Sequence, residues 1–441
     1  MFYENILNKK RGGGGILKVI HGYPPEYNAG SENYSKTVCD ELSKINRVSV
    51  FTREENFYAP DFSIRIRQDN PNLTIYYINH PQGKDGYRHA RLDAVFAGLV
   101  DEIRPDVAYI GHLNHLSTGI VDVLSDRKIP IVFMLHDYWL MCPRGQFLMR
   151  SIGRGNNFML CPGQSDEKCA RDCYEVYFSG REDTRTADMA TWTNWIHRRM
   201  EETRTMIQKV NLFIAPSNYL RERFVRDFGI SENKITYLDY GFPLENLQPV
   251  ERTRDASGDN EYTFGYIGTH IPAKGVNLLI EAFFSVKGNA RLKIFGRENG
   301  QSTRALKEMA RAARGRIEFC GEYINSELRQ KVFAHVDAIV VPSIWMENSP
   351  LVIHEAEACR VPVITADAGG MAEYVHHRKN GLLFRHCDAD SLAEQMQWAL
   401  EHQNEMKQFG KRGYLYSADG HVPSIEEHCR KLLSIFQEVS K

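Results

Sequence analysis

The chain reads as an α/β protein built from two doubly wound, parallel-sheet domains, and three observations predict this. Its 441 residues exceed what a single hydrophobic core usually supports. Short apolar, β-branched runs alternate with helical patterns, and the alternation occurs in two series. Between the series lies a polar stretch without periodicity, Pro249 to Asp259, which reads as a linker over 249–260.

Residues 1–15 contain four consecutive glycines and no apolar h-region, so they read as a flexible leader and not as a signal peptide. The first domain, 16–248, opens with the strand Ile16 to Gly22. A loop follows, Pro24 to Glu32, whose small residues Ala29 and Gly30 allow backbone N–H groups to approach a phosphate at a helix start. It lacks the G-x-G-x-x-G pattern, which argues against a nicotinamide cofactor. Tyr34, Val38, Leu42 and Ile45 then share one helical face. Further strands run from Val107 to Gly111, Ile131 to Leu135 and Leu212 to Ala215.

The second domain, 261–418, repeats the scheme. Its strands run from Tyr262 to Ile267, Leu292 to Phe295, Ala338 to Val341 and Val361 to Thr365, and Val276, Leu279, Ile280, Phe283 and Phe284 form a helical face. In the tail, 419–441, Ile425, Cys429, Leu432, Leu433 and Phe436 form an amphipathic stripe that needs a surface to cover. We expect it to pack back towards the first domain.

Open α/β sheets bind ligands beyond the carboxyl ends of their strands. There the most informative segment runs from Val340 to Glu355. It reads as a strand, a loop and a helix, with Ser349 as N-cap and Pro350 at the first helical position. The N–H groups of Leu351, Val352 and Ile353 then face outward as an anion site. Glu347 precedes the cap, and Glu355 lies about 9 Å beyond it at roughly 1.5 Å per residue. Lys274, in the loop Gly268 to Gly275, is a candidate cation for a diphosphate leaving group. His136-Asp137 ends a strong strand and is either a satisfied strand end or a ligand contact. Asp388-Ala389-Asp390 has the form of a metal-binding D-x-D, but the helix that follows makes Asp388 or Asp390 an N-cap.

An insertion over 142–173 carries Cys142, Cys161, Cys169 and Cys173, which read either as a structural zinc site or as free buried thiols. The other cysteines are scattered, as expected in a reducing compartment, and the net charge of -1 gives no general reason to expect nucleic acid. No apolar run approaches the roughly 18 residues of a membrane span. The segment Arg181 to Arg204 reads as a solvated helix with an apolar seam; Arg198 and Arg199 leave acceptor binding or peripheral membrane contact as the sharper alternative.

Together these segments resemble the retaining GT-B glycosyltransferases of family 4, whose two Rossmann-like domains face a cleft. The resemblance runs from Leu17 onward and is most specific from Pro342-Ser343 through Glu347 to Glu355, then Pro362-Val363-Ile364 and Gly369-Gly370. It implies a nucleotide-diphosphate sugar donor, a glycan or lipid-linked acceptor, and a cytoplasmic enzyme of bacterial surface polysaccharide assembly that requires no cofactor for catalysis. By the same resemblance Glu347 lies beside the transferred sugar, Glu355 hydrogen-bonds the ribose, Lys274 neutralises the diphosphate and Gly30 lies against it. His136 contacts the sugar, N–H groups near Leu351 and Val352 complete the phosphate site, and Tyr323 falls in the base-contacting loop. Where the family usually has arginine this chain has Thr269, with Arg297 as a substitute. A sugar-nucleotide epimerase and a non-catalytic sugar-binding protein remain the alternatives.

Overall fold

The computed structural model describes residues 15–80, 86–150, 158–175, 185–253 and 261–441. The leader up to residue 14 and the linker from 254 lie outside the described residues. The chain divides into two compact units. Unit 1 comprises Met1–Gly145, Gln164–Gly241 and Ser424–Lys441; unit 2 comprises Gln146–Gly163 and Phe242–Pro423. The tail thus belongs with unit 1, and part of the cysteine-bearing insertion groups with unit 2.

Unit 1 contains β1 (Ile16–Val19), β2 (Val48–Glu54), β3 (Ile64–Asn70), β4 (Leu73–Asn79), β5 (Val107–Ile110) and β6 (Ile131–Met134). A hairpin of β7 (Leu148–Arg150) and β8 (Phe158–Leu160) falls in unit 2, and β9 (Leu212–Ala215) and β10 (Ile235–Tyr237) return to unit 1. The sheet order is β10-β9-β6-β5-β1-β2-β4-β3. All pairings are parallel except β3 with β4, so the expectation of a purely parallel sheet fails at this edge. The reason is visible in β3: no position of it is buried, and it carries exposed Arg65 and half-buried Arg67, charges that suit an edge strand and leave no buried apolar run. Central strands such as β5 and β6 are buried throughout.

Unit 2 contains β11 (Tyr262–Ile267), β12 (Ala290–Phe295), β13 (Ile317–Gly321), β14 (Ala338–Val341), β15 (Val363–Ala366) and β16 (Gly381–Phe384), ordered β13-β12-β11-β14-β15-β16 and parallel throughout. In both units the strand order reverses beside the first strand, between β1 and β5 and between β11 and β14. These reversals open the crevices where such sheets hold ligands.

The main helices are α1 (Gly30–Leu42), α2 (Ala90–Ile103), α3 (Gly119–Asp126), α4 (Arg185–Gln208), α5 (Asn218–Phe228), α6 (Val276–Phe284), α7 (Gly300–Ala310), α8 (Leu351–Ala358), α9 (Ala389–Glu401), α10 (Gln403–Arg412) and α11 (Ile425–Val439). The α11 stripe is buried as its periodicity predicts, and it packs on α1. Two expected face members fail. Ile45 lies beyond the end of α1 and is exposed, and Phe284 is exposed because its neighbour Phe283 takes the inward position.

Arg199 is a clearer correction. It lies 1 % exposed, hydrogen-bonded to the Trp139 carbonyl and 4.6 Å over the Trp139 ring, so it offers no basic membrane-facing surface. Arg198 is exposed. Among the described residues no helix is long and apolar enough to cross a membrane.

The Asp388 side chain accepts the Ser391 N–H at 2.9 Å and caps α9. Replacing it with alanine should therefore cost about 1 kcal/mol and leave catalytic turnover unchanged. A urea titration with a parallel rate measurement checks both; lost activity at retained stability would restore a metal-ligand role.

Candidate functional site

In unit 2 the site is built where β11 and β14 end side by side. The loop after β11 closes in a short turn, Pro272–Lys274, and Gly275 follows at φ +70°. A Cβ there would lie 1.9 Å from the Pro342 carbonyl oxygen, so only glycine lets this loop lie against the end of β14. The Ile344 N–H then donates to the Ala273 carbonyl at 2.9 Å, joining the two loops. This contact places the Lys274 Nζ 2.6 Å from Glu347 Oε1, which also accepts from Ser343 Oγ at 2.7 Å. Glu347 is 3 % exposed, whereas Lys274 keeps part of its side chain in solvent.

The helix after Glu347 starts one residue later than predicted. Pro350, with ψ 116°, is the cap in place of Ser349, and α8 begins at Leu351 with no side-chain cap. The delay comes from the preceding loop, which lies against Gly369-Gly370. The Gly370 N–H donates to the Glu347 carbonyl at 2.7 Å, and a Cβ on Gly370 would meet the Asn348 oxygen at 1.5 Å. The Ile353 N–H bonds the Pro350 carbonyl and is not open as predicted. The N–H groups of Leu351 and Val352 make no hydrogen bond among the described residues. They are the open donors of this helix terminus.

Glu355 lies one turn further along, half-buried, and burial pushes its carboxyl up to about 7. Tyr323 is brought within its electrostatic reach: the phenol is raised by burial and then by the Glu355 charge. Thr269 follows the end of β11, and its carbonyl accepts from the Tyr266 hydroxyl at 3.1 Å. Arg297 follows β12, is exposed, and makes no ion pair among the described residues. The structure therefore groups Lys274 with Glu347 and Tyr323 with Glu355.

Unit 1 has its own cluster at the β1/β5 reversal; sequence singled out its strand-end His136-Asp137 but not His21 or its pairing with Glu32. His21 follows β1, and its Nε2 lies 3.3 Å from Glu32 in the first turn of α1; its ring centre is 4.6 Å from that of His112 after β5. Burial would raise the Glu32 carboxyl, but His21 and the Ser31 hydroxyl hold it down to about 2. The Asn114 N–H donates to His112 Nδ1 at 3.0 Å, so Nε2 carries the proton of the neutral ring and donates to Asp137 at 3.2 Å. The signal available for His21, His112 and Asp137 was position alone, since each follows a strand. His136 is buried, and loss of hydration keeps its pKa well below the ordinary value. Gly30 is exposed at the start of α1, which has no side-chain cap at Ala29.

The zinc expectation does not fit the structure. Among the described residues no group of three or more His, Cys, Asp or Glu is arranged to hold a metal ion, so Cys142, Cys161, Cys169 and Cys173 are not brought together as a ligand set.

Two Rossmann-like units with ligand-side clusters at their reversals define a GT-B fold. The family Glycosyl transferases group 1 matches residues 248–416, and Glycosyltransferase Family 4 matches residues 29–246. The chain belongs to the group 1, family 4 glycosyltransferases. It is similar to an uncharacterized glycosyltransferase of Methanocaldococcus jannaschii, 28 % identical over 46 % of this chain and 52 % of that protein. The capsular polysaccharide biosynthesis glycosyltransferase CapM of Staphylococcus aureus is 23 % identical over 47 % of this chain and 58 % of its own. The chain thus spans about half the length of the curated relatives it matches. Among solved structures, sucrose-phosphate synthase of Thermosynechococcus elongatus superposes with TM-score 0.70 at 17 % identity, covering 97 % of this chain and 99 % of that one.

The raised pKa of Glu355 carries a pH signature. Its uncharged form contributes stability fully below the ordinary value of 4.5, and this contribution is lost as the pH rises through about 7. Glu355→Gln should therefore raise the melting temperature at pH 8.5 by at least about 2 °C while changing it little at pH 5. Differential scanning fluorimetry at the two pH values measures this; stabilisation only at pH 5 would mean the carboxylate has a compensating partner.

Proposed function

We propose that this protein transfers a sugar, with retained anomeric configuration, from a nucleoside diphosphate sugar to a hydroxyl of a glycan or lipid-linked acceptor. The observation that carries the reading is the Lys274–Glu347 pair beside the open N–H groups of Leu351 and Val352, at the strand-order reversal of unit 2. A diphosphate fits a helix N-terminus flanked by a cation, and a carboxylate one loop away fits the positive charge that develops on the sugar.

In this reading Lys274, the two N–H groups and Arg297 stabilise the departing diphosphate. Arg297 has an uncommitted charge and stands in for the arginine that Thr269 replaces. A leaving phosphate oxygen takes the acceptor hydroxyl's proton as the new glycosidic bond forms on the same face. Glu355 accepts the ribose hydroxyls, Tyr323 borders the base, Gly30 lies against the diphosphate, and His136 contacts the transferred sugar. Similarity to CapM supports a role in surface polysaccharide assembly.

Uridine, guanosine and adenosine diphosphates and their hexose conjugates, screened by thermal shift, test the donor class. A ligand at a hundred times its Kd should add about 2.7 kcal/mol. Silence across the panel would refute the reading, and a sugar isomerised without any acceptor would identify an epimerase instead.

With the donor known, the two glutamates should separate. Glu347→Gln is expected to lower kcat by about 100-fold or more with donor affinity nearly kept, because it removes a charge used chiefly in the transition state. Glu355→Ala should weaken nucleotide binding by about 10-fold and lower kcat less. Stopped-flow binding and steady-state rates distinguish these outcomes, and wild-type behaviour of both variants would reject the assigned roles.

A further inference from the structure

The His136 imidazole is held by a chain of buried groups that reaches the C-terminal helix. Its Nδ1 lies 2.8 Å from the Tyr240 hydroxyl, and the two rings are nearly parallel at 15° with centres 5.8 Å apart. The Tyr34 ring meets His136 edge-on at 5.3 Å and packs on Tyr240 at 4.7 Å. His428 on α11 bonds Tyr34 directly and reaches Tyr240 only through the backbone of its neighbour Asp239. His428 Nδ1 lies 2.8 Å from the Asp239 carbonyl, and a carbonyl only accepts, so Nδ1 carries the proton. Nε2 of the neutral ring then accepts, and the Tyr34 hydroxyl donates to it at 2.7 Å. Burial keeps this ring neutral by lowering its pKa to about 4. The Tyr34 oxygen is left to accept from the Tyr109 hydroxyl at 2.8 Å.

The donors therefore run one way, from Tyr109 through Tyr34 and His428 to the backbone that carries Tyr240. That backbone is pressed onto the helix: a Cβ at Gly241 would lie 2.3 Å from the His428 Cβ. Beneath the network Lys18 is fully buried on β1, with Nζ 3.7 Å over the Tyr109 ring and no hydrogen bond among the described residues. Burial lowers its pKa to about 7, and any charge it carries opposes a proton on His136.

We propose that Tyr240 is a positioning residue for His136, and that His428, through Asp239 and Tyr34, makes the C-terminal helix part of the same device. The proposal rests on the reading of His136 as a contact to the transferred sugar. A ring free to rotate still packs at the end of β6 but loses the alignment the reacting sugar requires, so the cost falls on turnover more than on donor binding.

Tyr240→Phe keeps the ring stack and deletes one hydroxyl. Release of nucleoside diphosphate from UDP-glucose and from GDP-mannose is compared for the wild type, Tyr240→Phe, His136→Ala and the double variant, with 15N NMR of the imidazoles alongside. Tyr240→Phe should lower kcat about 10-fold with KM within about 2-fold, move the His136 ring signals, and add no further loss in the His136→Ala background. His428→Phe should lower kcat in the same way. Unmoved ring signals with unchanged kcat, or equal losses in both backgrounds, overturn the proposal; full turnover in His428→Phe removes the helix from it. If His136→Ala itself turns over at the wild-type rate while Tyr240→Phe still moves the ring signals, the sugar-contact role of His136 is what fails.

Discussion

The ion pair between Lys274 and Glu347 is the interaction around which unit 2 arranges its ligand face. A carboxylate 3 % exposed is costly unless its charge is matched, and Lys274 with Ser343 matches it. The pair exists only because two strands that are neighbours in the sheet, but far apart in sequence, deliver their loops to the same place. Gly275 and Gly370 permit the approach, since a Cβ at either would collide with backbone. The Ala273–Ile344 hydrogen bond then fixes the distance between the loops. Removing either charge leaves more than a missing contact: without Lys274 a buried carboxylate loses its counter-ion, and such losses cost several times what an exposed pair contributes.

Unit 1 treats charge differently at its own reversal. His21 and Glu32 pair, His112 and Asp137 pair, and His136 is held neutral by burial. Glu32 has a further consequence because it occupies the first turn of α1. There its carboxylate already compensates the positive end of the helix dipole. Gly30 thus offers close approach to backbone more than it offers a second electropositive terminus, so under the proposed transfer the phosphates would fall chiefly to unit 2.

The fold was legible where burial forces a simple pattern. Strands β5 and β14 are buried on both faces and read as unbroken apolar runs, and the α11 stripe repeats at helical spacing with every member inside. Strand β3 was not legible, because an edge strand facing water carries the same charges as a loop. Arg199 and Lys18 show the same limit in reverse. Both look like surface residues in sequence, yet one is satisfied by the Trp139 carbonyl and ring and the other lies over Tyr109. Neither partner is adjacent in sequence. The site was legible in its residue types, Glu347, Glu355 and Lys274, but their pairing was not. Lys274 meets Glu347 rather than standing free, and Ser349 lost the cap to Pro350 because the loop before α8 is tied to Gly370.

That pairing changes how charge must move under the proposed transfer. Before a donor arrives, the Lys274 charge is committed to Glu347, Thr269 contributes none, and the uncommitted donors are Arg297 and the N–H groups of Leu351 and Val352. A diphosphate first meets these groups. As it draws the partly exposed Lys274 towards itself, Glu347 keeps Ser343 but loses its cation. An under-compensated carboxylate then lies beside the sugar when the anomeric carbon is about to become positive. Electrostatic stabilisation of this kind is strongest when charge is matched only in the transition state. Donor binding would thus convert a resting ion pair into two separate tools, one for the leaving group and one for the sugar, without any change in the fold that holds them.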